Sequence, residues 1–244
     1  MKLRPDRFLV AGLASMTLLV GASGDIGAAP TQQRTTSDLP AMHHVGQREK
    51  LPSIRQPLCT SIAHVGDSTT VESYDQQVAA YTELFDGVVV DGGGGRAVLQ
   101  TLAADRHTGA GAAESIRASG FTGCWVVAMG TNDAANIAAG ANYSRERVID
   151  SMMAAIDPSG STPVAWVEVF TTKTSGYWKS ANMVAWNDAL RSATTRWPNL
   201  RILPWSSHVA ANSGWISDGI HHTAEGRVRR AEWIASNAYE ILNR

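Results

Sequence analysis

Clustered basic residues are missing from this chain of 244 residues, whose formal net charge is −1. A general nucleic-acid binder carries a basic patch or stripe, so that class is set aside. The densest basic group is Arg227, Arg229 and Arg230, which falls on an expected terminal helix and is assigned to a solvated face. A stretch of the ~20 apolar residues needed to span a bilayer is also missing. The apolar run Phe8–Val20 is shorter, and no cysteine follows it, which argues against a lipid-modified N-terminus. No set of His, Cys, Asp and Glu has metal-ligand spacing; His43 and His44 lie in a polar tail. The Lys and Ser/Thr of a phosphate-binding loop and the glycine spacing of a dinucleotide site are absent. No metal, no cofactor and no nucleic-acid partner is therefore expected, and there are no internal repeats.

What is present begins with the residue order expected of an export signal. Lys2, Arg4 and Arg7 precede the apolar run, and small residues Gly21-Ala22-Ser23 and Gly27-Ala28-Ala29 follow it. Basic, apolar, then small is the order of a secretory signal peptide. Residues 1–28 are assigned to it, with cleavage near Ala28 because Pro30 disfavours a cut after Ala29. Residues 29–57 are polar, Pro-containing and without periodicity, as in a disordered linker. The folded domain is expected over residues 58–244, in the cell envelope or outside the cell, with no stable membrane span in the mature form. Only two cysteines occur, Cys59 and Cys124. In an exported chain an even count points to a disulfide. Each begins an apolar run, and if the two runs pair as parallel strands their starting ends come within bridging distance.

From Leu58 strand and helix patterns alternate. Strands are expected at Cys59–Val65, Gly87–Asp91, Cys124–Met129, Val164–Phe170 and Leu200–Leu203. Helical spacing is expected from about Thr70 to Phe85, from Arg96 onward, over Arg145–Ile156 and Asn182–Thr195, and from Thr223 to the end. Thr108–Gly111 is expected to be a break. Such alternation predicts a parallel sheet with right-handed crossovers.

Polar or glycine-rich turns follow four of the five expected strands. They are Gly66-Asp67-Ser68, the run Gly92–Gly95, Gly130-Thr131-Asn132-Asp133, and the loop to Asp218-Gly219-Ile220-His221. In open α/β sheets, loops at the strands' carboxyl ends share one crevice, where ligands sit. A serine between a strand and a helix projects its hydroxyl into that crevice, next to free backbone N–H groups. For the four glycines, a flexible turn is the other reading.

Taken in order, these blocks resemble the SGNH (GDSL-type) hydrolases, and the likeness covers nearly all of the chain from Leu58. Gly66-Asp67-Ser68, Gly95-Arg96, Gly130–Asp133 and Asp218-x-x-His221 resemble four successive family blocks. The resemblance implies a flavodoxin-like three-layer α/β/α sandwich with a five-stranded parallel sheet in the order 2-1-3-4-5. That order makes strands one and three neighbours and Cys59 a neighbour of Cys124. It also implies a carboxylic ester hydrolase. Ser68 would be the nucleophile, which needs a base to take its proton. His221 would be that base and Asp218 would orient its ring. The Ser68 N–H, the Gly95 N–H and the Asn132 side-chain amide would hold the oxyanion, with Gly94 as the alternative glycine.

Asp67 and Asp133 are expected to brace turns and cap helices. His222 is expected to support or pack, and His64 to lie in the core; His107 and His208 are placed in loops or on the surface. Trp125, Trp166, Trp186 and Trp233 fall on core elements. Tyr177, Trp178 and Trp215 lie in loops near the catalytic edge and are candidate contacts for an acyl chain or a sugar face. The expected substrate is an acyl ester of a small molecule, lipid or glycan. Two alternatives share these residues: an O-acyltransferase acting on cell-envelope carbohydrate, and a non-catalytic envelope binding protein.

Overall fold

A strand followed by a helix can meet the next parallel strand only if the helix crosses back over the sheet. The computed structural model of the chain describes residues 58–101 and 107–244 and shows this arrangement five strands wide. The expected signal peptide and linker, residues 1–57, lie outside the described residues. The strands are β1 (Ser61–Gly66), β2 (Gly87–Gly92), β3 (Cys124–Ala128), β4 (Val164–Val167) and β5 (Leu200–Leu203). All neighbours pair in parallel, in the order β2-β1-β3-β4-β5. This is the expected sheet.

The helices are α1 (Ser68–Glu72), α2 (Tyr74–Thr82), α3 (Gly109–Ala118), α4 (Thr131–Ala138), α5 (Arg145–Ile156), α6 (Ser180–Ala193), α7 (Trp205–Ala210) and α8 (Ala224–Leu242). Side chains alternate between the faces of a strand, so the sheet feeds two apolar layers. Ala63, Val65, Trp125, Val127 and Trp166 pack against buried residues of α3, α4, α5 and α6. Ile62, Val126, Ala128, Ala165 and Val167 pack against those of α2, α7 and α8. Every residue of β3 is buried, as its continuous apolar run requires of a central parallel strand.

Several expectations are corrected. The helix placed after the glycine run does not begin at Arg96. Arg96 folds back onto Asp91 at 2.8 Å, and the Ala97 N–H bonds the Gln100 carbonyl. The helix starts at Gly109, inside the expected break, because Thr108 Oγ1 accepts the Gly111 N–H and caps it. The helix expected over 70–85 is interrupted at Ser73, whose hydroxyl bonds back to the Thr69 carbonyl at 2.7 Å. Two helices were not expected: α4, which grows out of the Gly-Thr-Asn-Asp block, and α7, in a segment read as loop. Strand four is shorter than expected and stops at Val167. Arg230 is not on a solvated face but buried. His208 is on α7, against Trp205, Trp215 and Trp233.

Cys59 and Cys124 form a disulfide, their Cα atoms 5.6 Å apart. Cys124 opens β3 and pairs in register with Ile62, so the bridge staples the incoming ends of the two central strands. It closes a loop with a sequence separation of 65. Chain-entropy reasoning for a loop of that size gives about 4 kcal/mol of stability. The Cys59→Ser/Cys124→Ser double variant is therefore expected to unfold at a clearly lower urea concentration than the oxidised wild type. Equal midpoints would contradict a stabilising bridge.

Candidate active site

The carboxyl ends of β1, β2 and β3 and the loop before α8 supply the polar groups at one edge of the sheet. The first is set by Gly66. A Cβ there would lie 1.8 Å from Thr70 Oγ1, so only glycine lets α1 start against the strand end. Asp67 caps α1, its Oδ1 accepting from the Thr69 N–H at 2.9 Å and the Thr69 hydroxyl at 2.8 Å. Burial raises the Asp67 carboxyl, against the pull of these bonds and of Arg230. Ser68 is thus the first residue of a helix, and its backbone N–H has no acceptor among the described residues.

The acid and the imidazole come from one self-braced loop. An antiparallel bridge joins Ile216 to His222, the Ser217 N–H bonds the His221 carbonyl, and the Thr223 N–H bonds the Trp215 carbonyl. Inside it, Asp218 Oδ1 accepts from the N–H groups of Ile220 and His221, at 2.9 and 2.8 Å. Its other oxygen faces His221 Nδ1 at 2.8 Å. These bonds, led by that of the His221 ring, hold the Asp218 carboxyl well below the usual carboxylate range. An ionised Asp218 accepts the Nδ1–H and leaves the Nε2 lone pair as an acceptor. Nε2 lies 3.0 Å from Ser68 Oγ, across 153 positions of sequence. Ser68, His221 and Asp218 therefore stand in one hydrogen-bonded line.

The glycine loop is fastened by α4. Gly130 turns with φ +136°, and a Cβ there would collide with the Trp186 indole at 2.1 Å. That turn aims the first residues of α4 at the glycine run. Asn132 Nδ2 donates to the Arg96 carbonyl at 3.0 Å, which uses one of its two hydrogens. Asp133 Oδ1 accepts the Val98 N–H at 2.9 Å, so Asp133 braces the glycine loop and does not cap its own helix. Gly95 adopts a left-handed φ of +66°, and its N–H has no acceptor among the described residues.

Other expected residues have clear places. His64 is buried between the Tyr81 hydroxyl and Thr70 Oγ1, each at 2.9 Å, and burial lowers it to about 3, which keeps it neutral. His222 is buried with Nδ1 on Glu72 Oε1 at 2.9 Å. Trp178 is 40% exposed, with its indole N–H toward Asn132 Oδ1 at 3.5 Å; Tyr177 beside it is 54% exposed. Trp215 stacks on Trp205, with ring centroids 6.4 Å apart. Sequence reading missed Glu72, Arg230 and Glu168; Glu72 and Arg230 lie on helices, where charged residues ordinarily face water. Among the described residues no cluster of His, Cys, Asp and Glu is placed to hold a metal ion. No helix there is long and apolar enough to cross a membrane.

No known family profile matches the sequence, and no curated protein matches it either. Solved structures do match. The C-terminal catalytic domain of peptidoglycan O-acetyltransferase A from Streptococcus pneumoniae aligns at 14% identity and TM-score 0.57, over 77% of this chain and 94% of that one. A lipase/acylhydrolase from Enterococcus faecalis aligns at 15% identity and TM-score 0.57, over 74% and 96%. A carbohydrate acetylesterase from Sinorhizobium meliloti aligns at 17% identity and TM-score 0.53, over 74% and 99%. The chain has the SGNH hydrolase fold. Within that fold the four polar blocks occupy one edge of the sheet, and the fold explains why residues so distant in sequence are adjacent.

The Asp133 brace carries a pH dependence. Burial pushes its carboxyl from 3.8 up to about 7; the Val98 N–H opposes this and the nearby Asp67 adds to it. A folded value above the unfolded one means the protonated form favours the folded state. That contribution is complete below about pH 4 and is lost as pH rises through about 7. Urea denaturation of wild type and Asp133→Asn at about pH 5 and pH 8 is expected to show wild type losing stability relative to the variant at the higher pH. Parallel pH profiles would contradict the buried, protonated brace.

Proposed function

We propose that the protein is an exported serine esterase that cleaves carboxylic (acyl) esters through an acyl-enzyme. The observation that carries this is the line Asp218–His221–Ser68, with contacts of 2.8 and 3.0 Å. The basic, apolar, then small residue order over residues 1–28 and the disulfide support a location in the cell envelope or outside the cell.

In the proposed reaction His221 Nε2 takes the Ser68 hydroxyl proton as Oγ attacks the acyl carbon. The negative oxygen of the tetrahedral intermediate is held by the N–H groups of Ser68 and Gly95 and by the second Nδ2 hydrogen of Asn132. His221 then gives its proton to the departing alcohol. Water repeats the sequence in reverse on the acyl-Ser68 ester and releases the acid. Asp218 stabilises the imidazolium through Nδ1 and stays ionised. Tyr177 and Trp178 form the proposed rest for the larger half of the substrate, and Trp215 stands behind the Asp218–His221 loop.

A second reading has specific support: transfer of the acyl group to a carbohydrate hydroxyl in place of water. It rests on the likeness to the O-acetyltransferase domain, which extends over nearly all of that domain. Product analysis with an oligosaccharide acceptor separates the two, since only transfer yields acylated acceptor.

Purified protein is expected to hydrolyse p-nitrophenyl acetate. Ser68→Ala should lose this activity with an unchanged circular dichroism spectrum. Asn132→Ala should lower kcat by about 10²–10³. A Ser68→Ala protein as active as wild type would end the proposal.

A further inference from the structure

Arg230 has no visible reason to be where it is. It lies on α8, is 4% exposed, and makes no ion pair or hydrogen bond among the described residues. A guanidinium taken out of water without partners costs several kcal/mol. Buried polar groups without a protein partner are ordinarily served by internal water. Arg230 lines a small, partly open pocket of about 20 Å³ beside the Gly66–Ser68 turn, together with Asp67, Thr69, Glu168, Ile220 and His222. That volume holds one water molecule.

The donors and acceptors around the pocket are complementary. Arg230 Nη1 is a buried donor with no acceptor. His222 is 3% exposed; its Nδ1 is committed to Glu72, so in the neutral ring Nε2 is an acceptor, and it has no donor. Asp67 Oδ1 is filled by Thr69, and its second oxygen has no hydrogen bond among the described residues. A water that accepts from Arg230 has two hydrogens to give, and His222 and the Asp67 carboxyl border the same space. The charges favour water over an anion. Asp67 already offsets Arg230, and Glu168 is paired with Arg191 and Ser206.

We propose that Arg230 and His222 hold one bound water beside the Gly66–Ser68 turn, and that through it Arg230 is a positioning residue for Ser68 and His221. Asp67 directly precedes Ser68, and His222 directly follows His221. The water therefore ties the two loops whose tips meet at 3.0 Å. His222 is itself anchored to α1, since Glu72 Oε1 accepts both its backbone N–H and its Nδ1–H. The positioning role rests on the proposed roles of Ser68 and His221; the water site does not.

The test has a structural and a kinetic arm. A high-resolution crystal structure of the protein is expected to show one water within hydrogen-bond distance of Arg230 Nη1 and His222 Nε2. A direct side-chain contact there without solvent would overturn the site, and an anion would overturn the charge argument. In the kinetic arm, Arg230→Met removes a buried charge and should not lower Tm. It should lower kcat for p-nitrophenyl acetate by roughly ten- to a hundredfold at unchanged KM, as small misplacements of reacting groups do. Arg230→Lys, which keeps charge and donors, should recover part of kcat, and the exposed Arg229→Met should match wild type. Arg230→Met with wild-type kcat would overturn the positioning role. A joint fall in Tm and kcat, without recovery in Arg230→Lys, would assign Arg230 to folding alone. A wild type without esterase activity would end the functional reading while leaving the crystallographic test standing.

Discussion

The hydrogen bond between Ser68 Oγ and His221 Nε2 joins the first strand's exit to the loop before the last helix. Nothing local holds those two groups together. They meet because all five strands run the same way, so every strand's carboxyl end opens on the same edge. Parallel pairing therefore brings the proposed site together as well as shaping the sheet. The disulfide at the opposite end of β1 and β3 anchors the two strands whose outgoing loops carry Ser68 and Asn132.

The polar loops at that edge are braced by hydrogen bonds within them and between them. The first turn of α4 fastens the glycine run through Asn132 and Asp133. The Asp218–His221 loop braces itself with two backbone N–H groups on one carboxylate oxygen. Glu72 on α1 then seizes His222 and fixes that loop against the helix that begins at Ser68. Asp218 and Glu72 play parallel parts for adjacent histidines, but only His221 has a ring nitrogen on a hydroxyl. The buried histidine, His222, holds a half-buried carboxylate, and the one at the solvent edge faces Ser68.

The sheet was legible in the sequence because its strands are short continuous apolar runs, separated by turn residues and helical spacing. The polar blocks were legible because Gly66, Gly130 and Asp218 mark turns whose geometry admits few other residues. α4 was hidden because it is short and its first turn, Thr131-Asn132-Asp133, is wholly polar. The start of α3 was hidden because the glycines and alanines after Thr108 look like a break until the Thr108 cap is seen. Arg230 was misplaced for a general reason: pattern reading puts arginine in water, and only the packed layers reveal a guanidinium enclosed behind the sheet edge. Which side chains support the proposed reacting groups depends on contacts between elements, and no single stretch of sequence encodes them.

An activated serine differs from an ordinary surface serine in reactivity, and that difference is directly measurable. Treatment with a fluorophosphonate transfers the phosphonyl group to a nucleophilic Oγ with loss of fluoride, which intact-mass and peptide-mapping spectrometry read. The account predicts one adduct per chain, located on Ser68. No adduct, or an adduct on a different residue, would contradict it.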